Sequence, residues 1–487
     1  MKRQESPDIQ LVVTAALKKE IPADWLNSHH AGAYTLAALK SGAINRLNTS
    51  SRGILVVITG AGLKASEEAA CWIRDNLNPL FVLNIGTCGL IDKRRSTGKW
   101  IKPRFVSNED DDEVELDAGL PVQCPANVTD VRSVISVQKE NTGDMPSSWK
   151  QHDAIDMECY PQAKVFAETG ISFHCLKFGT DYSDSNTVSD FNENLKLFTE
   201  SFKDLFHFLN NAHPEITVVI PVYNREKTIE RAVDSILAQS FRPEEIIVVD
   251  DCSTDRTGEL LRKYGNKITC IQLEKNSGPS RARNEGIERA HTDWIAFMDS
   301  DDCWKKDKLK NQVEFLRRYP FYQIMQSDEI WIRKGVRVNP RKYHKKPEGW
   351  IWKRSLERCL VSPSAVLIRK SLLQQYGKFD ESLPVCEDYD LWLKISRHNP
   401  VGLDPDLSVM KYGGHDDQLS GKYHSMDSFR VKSLYRLLKN EQQPYFREEL
   451  LRMLAKKLNI LIDGCKKRGK LKESGKYHNI LGSIKKC

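Results

Sequence analysis

Trp294-Ile295-Ala296-Phe297-Met298-Asp299-Ser300-Asp301-Asp302-Cys303-Trp304 is the stretch on which the reading of this chain turns. Its first five residues are a continuous apolar run, which fits a short strand covered on both faces in the interior of a parallel sheet. The run ends in three carboxylates, Asp299, Asp301 and Asp302. In open α/β sheets ligands bind beyond the carboxyl ends of the strands, and the acids fall there. Asp299 and Asp301, one residue apart, would offer hard oxygens to a divalent cation that keeps open positions for phosphate oxygens. The same residues also read as an acidic strand-to-loop turn in which an Asp caps the following helix.

Outward from this stretch the pattern repeats. Ile216–Ile220 is predicted as a buried strand entering Pro221-Val222-Tyr223-Asn224, and Glu226–Ala238 as an amphipathic helix with Ile229, Ala232, Val233 and Ile236 on one face. Ile246–Val249 is the next strand, ending at Asp250-Asp251, where a carboxylate would accept from a base N–H; Ser253-Thr254-Asp255 reads as the N-cap of the helix that follows. Ile268–Leu273 is a further strand. Asn276–Asn284 is a Gly-Pro turn into a basic helix start, where Arg281 and Arg283 would meet a diphosphate or simply lie solvated on the helix face.

A chain of 487 residues is too long for one ordinary core and predicts two or three domains. With 40% hydrophobic and 29% charged residues, the composition is that of a soluble globular protein. A net charge of +7, from 73 basic and 66 acidic residues, excludes a general nucleic-acid binder and is compatible with a phosphate-bearing substrate. The N-terminal residues lack the apolar region of a signal peptide, and no run approaches the roughly 18 apolar residues of a spanning helix. The expectation is a cytoplasmic protein with peripheral membrane association at most. The twelve cysteines show no CxxC pair or zinc-like spacing; Cys71, Cys88, Cys175 and Cys270 lie in apolar surroundings and are expected as reduced core thiols.

The second-half motifs carry a resemblance. IPVYNREKTIERAVDSILAQS, IIVVDDCSTD, NSGPSRARNEGI and WIAFMDSDDCW, followed by CEDYDLW from Cys386 and GHDDQLS from Gly414, resemble glycosyltransferase family two over about Glu215–Arg430. The resemblance implies an inverting transferase with a GT-A-type nucleotide-sugar fold. By it, Pro221, Tyr223 and Asp251 surround the nucleotide base, Arg283 serves the diphosphate, and Asp299 and Asp301 form the DxD pair for Mg²⁺ or Mn²⁺. Asp388 is implied as the general base on the acceptor hydroxyl, and His415 as a loop residue near the metal. A leaving nucleoside diphosphate develops negative charge that a divalent ion neutralises. Asp302 is expected as a helix cap. Trp350, Trp352 and Trp392 would floor an acceptor pocket, with at least one of them in the core. The implied partners are a nucleoside-diphosphate sugar and a glycan or lipid-linked acceptor.

The first half has its own logic. Leu11–Val13 reads as a strand with Glu20 in the turn after it; Gly53–Thr59 enters Gly60-Ala61-Gly62, and Leu80–Ile85 enters Gly86-Thr87-Cys88-Gly89. Glycines after strands let a ligand approach the backbone. Ile155–Glu158 and Phe173–Thr180, the latter ending at Asp181, complete the set. Glu20, Glu158 and Asp181 would converge on one pocket or would be ordinary loop acids. The Glu109–Glu113 run reads as a solvated loop.

In order, AALKKEI, TGAG, NIGTCGL, IDME and FGTDYSD resemble the nucleoside phosphorylase/nucleosidase superfamily, especially methylthioadenosine/S-adenosylhomocysteine nucleosidases, over roughly Ile9–Leu209. The resemblance implies that Glu20 activates water, Glu158 holds the ribose hydroxyls and Asp181 protonates a purine leaving group. Asn84 stands where phosphorylases of the superfamily carry Arg, which favours water over phosphate as nucleophile. Ser136-Val137-Gln138 departs from the Ser-Gly-Asp turn of the nucleosidases and bears on the purine pocket. A nucleoside-binding domain without turnover is the alternative.

The boundary is expected near Asn210–Pro214, after a helix over Leu195–Leu209. From about Ser425 the chain reads as basic helices, Val431–Leu438 and Tyr445–Ile462, with a solvated tail containing Lys466, Lys467, Arg468, Lys470 and Lys472. The expected architecture is two α/β domains, residues 1–212 and 213–430, plus a basic helical extension over 431–487.

Overall fold

The computed structural model describes residues 11–17, 20–21, 26–31, 34–39, 54–77, 79–116, 128–138, 145–169, 171–183, 187–205, 214–319, 321–338, 345–414 and 425–484. They form two compact units, Met1–Ala212 together with Arg317–Phe321, and His213–Leu316 together with Tyr322–Cys487.

The first unit is built on β1 (Leu11–Ala15), β2 (Leu26–Ala31), β3 (Tyr34–Leu39), β4 (Ile54–Ile58), β5 (Phe81–Leu90), β6 (Lys99–Ser107), β7 (Glu113–Glu115), β8 (Thr129–Ser136), β9 (Ala154–Asp156) and β10 (Ser172–Asp181). Their order is β10-β6-β8-β9-β5-β1-β4-β3-β2, and β10 also pairs with β5, so β5, β9, β8, β6 and β10 close on themselves. Helices α1 (Leu63–Asn76), α2 (Cys159–Ala167) and α3 (Thr187–Leu205) accompany them. The core joins Val12, Val57 and Val82 on strands to Ala69, Ile73, Ala163 and Phe166 on helices. Two findings differ from expectation. Gly86–Gly89 does not leave the sheet; β5 runs through it, because β10 pairs with it from Phe81 to Gly89. The hairpin β2–β3 went unanticipated, since LNSHHA has no alternating apolar pattern to announce a strand.

The second unit contains β11 (Ile216–Val222), α4 (Ile229–Leu237), β12 (Glu245–Asp250), α5 (Thr257–Arg262), β13 (Thr269–Gln272), α6 (Pro279–Arg289), β14 (Trp294–Phe297), β15 (Cys303–Trp304), α7 (Lys308–Arg318), β16 (Ile324–Arg333), β17 (Val336–Val338), α8 (Trp352–Ser355), β18 (Val366–Arg369), α9 (Lys370–Tyr376), α10 (Glu387–Ser396) and β19 (Val401–Gly413). The sheet order is β13-β12-β11-β14-β18-β16-β19-β15. Trp294–Phe297 is interior, as expected, but the sheet is mixed: β14 is parallel to β11 and antiparallel to β18. The strand order reverses beside β11, which makes a switch point with a crevice at the strands' carboxyl ends. One glycine sets a close contact here. A Cβ on Gly286 would stand 2.3 Å from a methyl of Val219, so α6 lies directly on β11.

Three helices complete this unit, α11 (Met426–Asn440), α12 (Pro444–Lys467) and α13 (Leu471–Ile484). Leu434, Leu450, Leu454, Leu458, Leu461 and Ile484 form one cluster with Trp352, Leu356, Tyr389 and Leu393. The stretch expected as a solvated tail therefore includes a packed helix, and the basic residues gather at the turn between α12 and α13. The apolar residues Tyr477, Ile480 and Leu481 recur at helical spacing and draw α13 onto the cluster. No helix among the described residues is long and apolar enough to cross a membrane.

Candidate active site

Tyr223, Asp251, Asp299 and Asp301 stand just past strands, whereas Pro221 lies within one and Arg283 and Asp388 lie on helices. Tyr223 follows β11 and is 41% exposed, so its ring is open to a stacking partner, while Pro221 is buried within the strand. Asp251 follows β12, and its N–H donates to the Val222 carbonyl at 2.8 Å. Its two carboxylate oxygens accept from the N–H groups of Ser277 and Gly278, each at 2.7 Å, the turn that opens α6. Burial raises this carboxyl above its ordinary range, and the two backbone donors draw it partly back. Asp251 thus braces the Gly-Pro turn while its own N–H ties it to Val222, the residue before Tyr223.

The loops after β11 and β12 are stitched together. The Asn224 side-chain oxygen accepts from Thr254 N–H at 2.7 Å, and Asn224 N–H donates to Ser253 Oγ at 2.9 Å. Asn224 at φ 51°, Cys252 at φ 64° and Cys386 at φ 63° all adopt left-handed backbone. Asn tolerates it; for cysteine it costs about 1–2 kcal/mol. Such strain gathers at sites whose geometry the rest of the fold over-determines.

Past β14 the acids separate in role. Asp299 Oδ1 accepts from Arg283 Nη2 at 2.8 Å, and Arg283 Nη1 donates to Glu387 Oε1, also at 2.8 Å. Arg283 is buried, with both terminal nitrogens on carboxylates that it joins across the site. Burial pushes Asp299 up, but the Arg283 guanidinium and the Lys411 ammonium outweigh it and hold the carboxyl below its usual range. Asp301 goes the other way, raised by burial and by neighbouring Asp299. Asp302 is no helix cap: α7 starts at Lys308. It is 1% exposed, receives Ser364 Oγ–H at 2.6 Å and Tyr412 N–H at 3.0 Å, and burial lifts it to about 7. It pins β19 to the acidic loop.

Asp299 and Asp301 fit a hard divalent cation, because both offer carboxylate oxygens and the charge crowding that raises Asp301 would be relieved by one. Among the described residues no group of three or more His, Cys, Asp or Glu surrounds a metal position, so ligand oxygens would complete the shell. His415 and the residues to Ser420 lie outside the described residues.

Asp388 sits in the first turn of α10, after the strained Cys386. Its Oδ2 accepts from the Cys359 thiol at 3.4 Å, and it is half-buried. It lines a cavity of about 500 Å³ with Trp331, Lys411 and residues of α12. The expected tryptophan floor is corrected: Trp352 and Trp392 are 4% and 2% exposed and belong to two core clusters, while Trp331 lines the cavity. Arg281 pairs with Glu285 at 2.9 Å on its own helix.

In the first unit Glu20 is buried and accepts from Leu17 N–H at 2.9 Å and from Thr87 N–H and Oγ–H, each at 3.2 Å. Lys177, 1% exposed, pairs with Asp156 at 2.7 Å and with Glu158 at 3.6 Å. A Cβ on Gly86 would stand 3.3 Å from Lys177 Nζ and 3.4 Å from Glu20 Oε1, so Glu20, Lys177, Asp156 and Glu158 gather beside one glycine. Burial lifts Glu158 to about 7 against the pull of Lys177. Asp181 accepts from Thr180 Oγ–H and Ser183 N–H, each at 2.8 Å, beside Gly89. Asn84 donates to Thr14 Oγ at 3.1 Å, and Ser136 Oγ–H bonds Asp156 at 2.5 Å. The Glu109–Glu113 run is exposed. Among the cysteines, Cys88 and Cys175 are buried, Cys71 is half-buried and Cys270 is exposed, contrary to the expected core thiol; ten described cysteines are free.

Lys177, Lys411, Glu387 and Ser364 escaped the sequence reading. Glu387 had a signal, its place beside Asp388. The two lysines had none, because a strand lysine is ordinarily solvated, and only the sheet shows these on buried acids.

The family model for glycosyl transferase family 2 matches residues 217–376. The putative teichuronic acid biosynthesis glycosyltransferase TuaG of Bacillus subtilis is 34% identical over 197 residues, 38% of this chain and 74% of that protein. Among solved structures, S. aureus TarS 1–349 in complex with UDP-GlcNAc is 25% identical, with TM-score 0.45 over 55% of this chain and 80% of that one. A 5'-methylthioadenosine/S-adenosylhomocysteine nucleosidase from Neisseria meningitidis is similar at 14% identity and TM-score 0.34, over 41% of this chain and 96% of that one. The family match and a relative 34% identical over 74% of its length agree: this chain is a glycosyltransferase and belongs to glycosyltransferase family 2.

Proposed function

We propose that the chain transfers a sugar, with inversion, from a nucleoside-diphosphate sugar to a glycan or lipid-linked acceptor hydroxyl. In this reading residues 213–430 are the transferase domain, 431–487 its helical extension and 1–212 a nucleosidase-like domain, in a cytoplasmic setting that the free cysteines support. The observation that carries it is Arg283, which ties Asp299 at the donor end to Glu387, the neighbour of Asp388, at the acceptor end. Tyr223 stacks the base and Asp251 keeps the turn beside it in place. Mg²⁺ or Mn²⁺, held by Asp301 and Asp299, would neutralise charge on the leaving diphosphate. Asp388 accepts the proton of the acceptor hydroxyl as that oxygen attacks the anomeric carbon opposite the leaving group. It works by position and hydrogen bonding to the acceptor hydroxyl rather than as a strong base.

The test is a thermal-shift series with UDP, GDP and dTDP, with and without Mn²⁺, followed by hydrolysis of the matching nucleotide sugar. Asp301→Ala is expected to abolish the Mn²⁺-dependent shift. Asp388→Asn is expected to keep the shift and lower turnover by about 10²–10⁴-fold. Turnover unchanged in both variants would sink the reading.

A second reading concerns the first unit, where Glu20, Glu158 and Lys177 meet beside Gly86. This supports a purine nucleoside site with hydrolytic cleavage. Release of adenine from methylthioadenosine, lost in Glu20→Gln and Asp181→Asn, is the expected result; binding without release would make it a sensor.

A further inference from the structure

The cavity at Asp388 is walled on one side by the helical extension. Lys456, Lys457 and Ile460 of α12 and Arg430 of α11 line it together with Asp388 and Trp331. Its volume of about 500 Å³ is in the range of small-molecule sites. Six cations and four carboxylates line it; Lys411 is held by Asp299 and Asp302 at 3.9 and 3.7 Å and Lys346 by Glu329 at 3.1 Å, so the uneven part is Arg358, Arg430, Lys456 and Lys457 against Glu357 and Asp427. The acids are also shared. Asp427 Oδ1 takes both Arg430 Nη1 and Lys457 Nζ, each at 3.0 Å, and Glu357 Oε1 takes Lys456 Nζ at 3.1 Å and Arg358 Nη2 at 3.4 Å. Arg430 Nε is buried and has no hydrogen-bond partner among the described residues. Lys456 keeps half its side chain exposed at the cavity mouth, so its charge remains open to a ligand.

We propose that this cavity is the acceptor site and that the acceptor is anionic, carrying a phosphate or carboxylate that α11 and α12 hold while its hydroxyl meets Asp388. The inference rests on Asp388 being the base of the transferase. Apolar Leu360, Val361 and Pro363 with the Trp331 ring suit the face of a sugar, and the cations suit an oxyanion attached to it. The helical extension is then a specificity element, and its partial neutralisation by Glu357 and Asp427 keeps the wall ordered when no ligand is present.

The full chain, saturated with Mn²⁺ and whichever of UDP, GDP or dTDP gives the thermal shift, is titrated with α-D-glucose 1-phosphate, D-glucuronate and D-glucose. Occupying the donor site keeps the phosphate probe from binding there. The sugar phosphate or the uronate is expected to bind at least about tenfold more tightly than glucose, with the advantage falling as NaCl rises. Whichever anion leads names the acceptor's charged group. Lys456→Glu and Arg430→Gln are expected to erase the advantage while the nucleotide–Mn²⁺ shift stays at its original value, which shows the variants folded. Equal binding of all three probes, or an advantage that survives Lys456→Glu, overturns the anionic-acceptor inference and leaves the transferase reading intact. Unchanged turnover in Asp388→Asn overturns the reading beneath it.

Discussion

Arg283 is the residue that joins both ends of the site we propose for the transferase. Its two nitrogens hold buried Glu387 and half-buried Asp299, so removing it leaves Glu387 without that ion pair and Asp299 with the more distant Lys411. Arg283→Ala is expected to cost about 3–5 kcal/mol, read as a fall in denaturation midpoint. Arg283→Lys should recover part of that stability and little activity, because an ammonium cannot serve two carboxylates with a planar fork. A second residue-scale prediction concerns Glu158. Burial raises its folded carboxyl from 4.5 to about 7, so between those values the folded state binds more protons than the unfolded one. Its contribution is therefore most favourable at low pH and is lost as pH rises through about 7. Glu158→Gln is expected to raise the melting temperature at pH 8 relative to the parent and to flatten that slope; a parent-like pH profile would contradict it.

Two glycines in helices make opposite predictions at the scale of the element. Ala is favoured over Gly in a helix by about 1 kcal/mol. At Gly286 that gain is outweighed, because the new Cβ would lie 2.3 Å from a Val219 methyl on β11, and overpacking costs about 1–3 kcal/mol. At Gly475 in α13 nothing lies within 4 Å of the new Cβ, so the propensity gain survives. Gly286→Ala is expected to lower stability and transferase turnover together, since α6 carries Arg283, whereas Gly475→Ala raises stability by about 0.5–1 kcal/mol. Denaturant midpoints for the pair check both signs. In the same helical cluster Leu454 is fully buried, and Leu454→Ala is expected to cost about 2–5 kcal/mol. If α12 walls the acceptor cavity, that variant loses acceptor binding before it loses the nucleotide–Mn²⁺ shift.

For the whole molecule, each unit holds its own hydrophobic clusters, one set around Val12, Ala69 and Phe166 and another around Val219, Phe297 and Trp392. Calorimetry of the intact chain is expected to show two components rather than one two-state transition. A nucleoside diphosphate with Mn²⁺ at a hundredfold excess over its Kd adds about 2.7 kcal/mol to the component it binds. That component should move by several degrees while the other stays, and Asp301→Ala should remove the movement.

Strand Trp294–Phe297, the acids after it, the helix over Pro279–Arg289 and the α/β class of both halves were legible in the chain, because a buried strand needs an unbroken apolar run and a helix start needs its turn residues. These are local requirements, written in neighbouring positions. The mixed direction of the second sheet, the passage of β5 through Gly86–Gly89, the folding back of α13 and the burial of both Trp352 and Trp392, where at least one core tryptophan was expected, were not. Strand direction, pairing and burial are settled by residues far apart in the chain, and no local pattern encodes them. The same division runs through the site. Asp299, Asp301 and Asp388 stand out by motif as candidates, but the commitment of Arg283 to two carboxylates and the burial of Lys177 against Asp156 exist only where the tertiary structure brings unlike charges together out of water. There the cost of leaving a charge unpaired decides which partner each one takes.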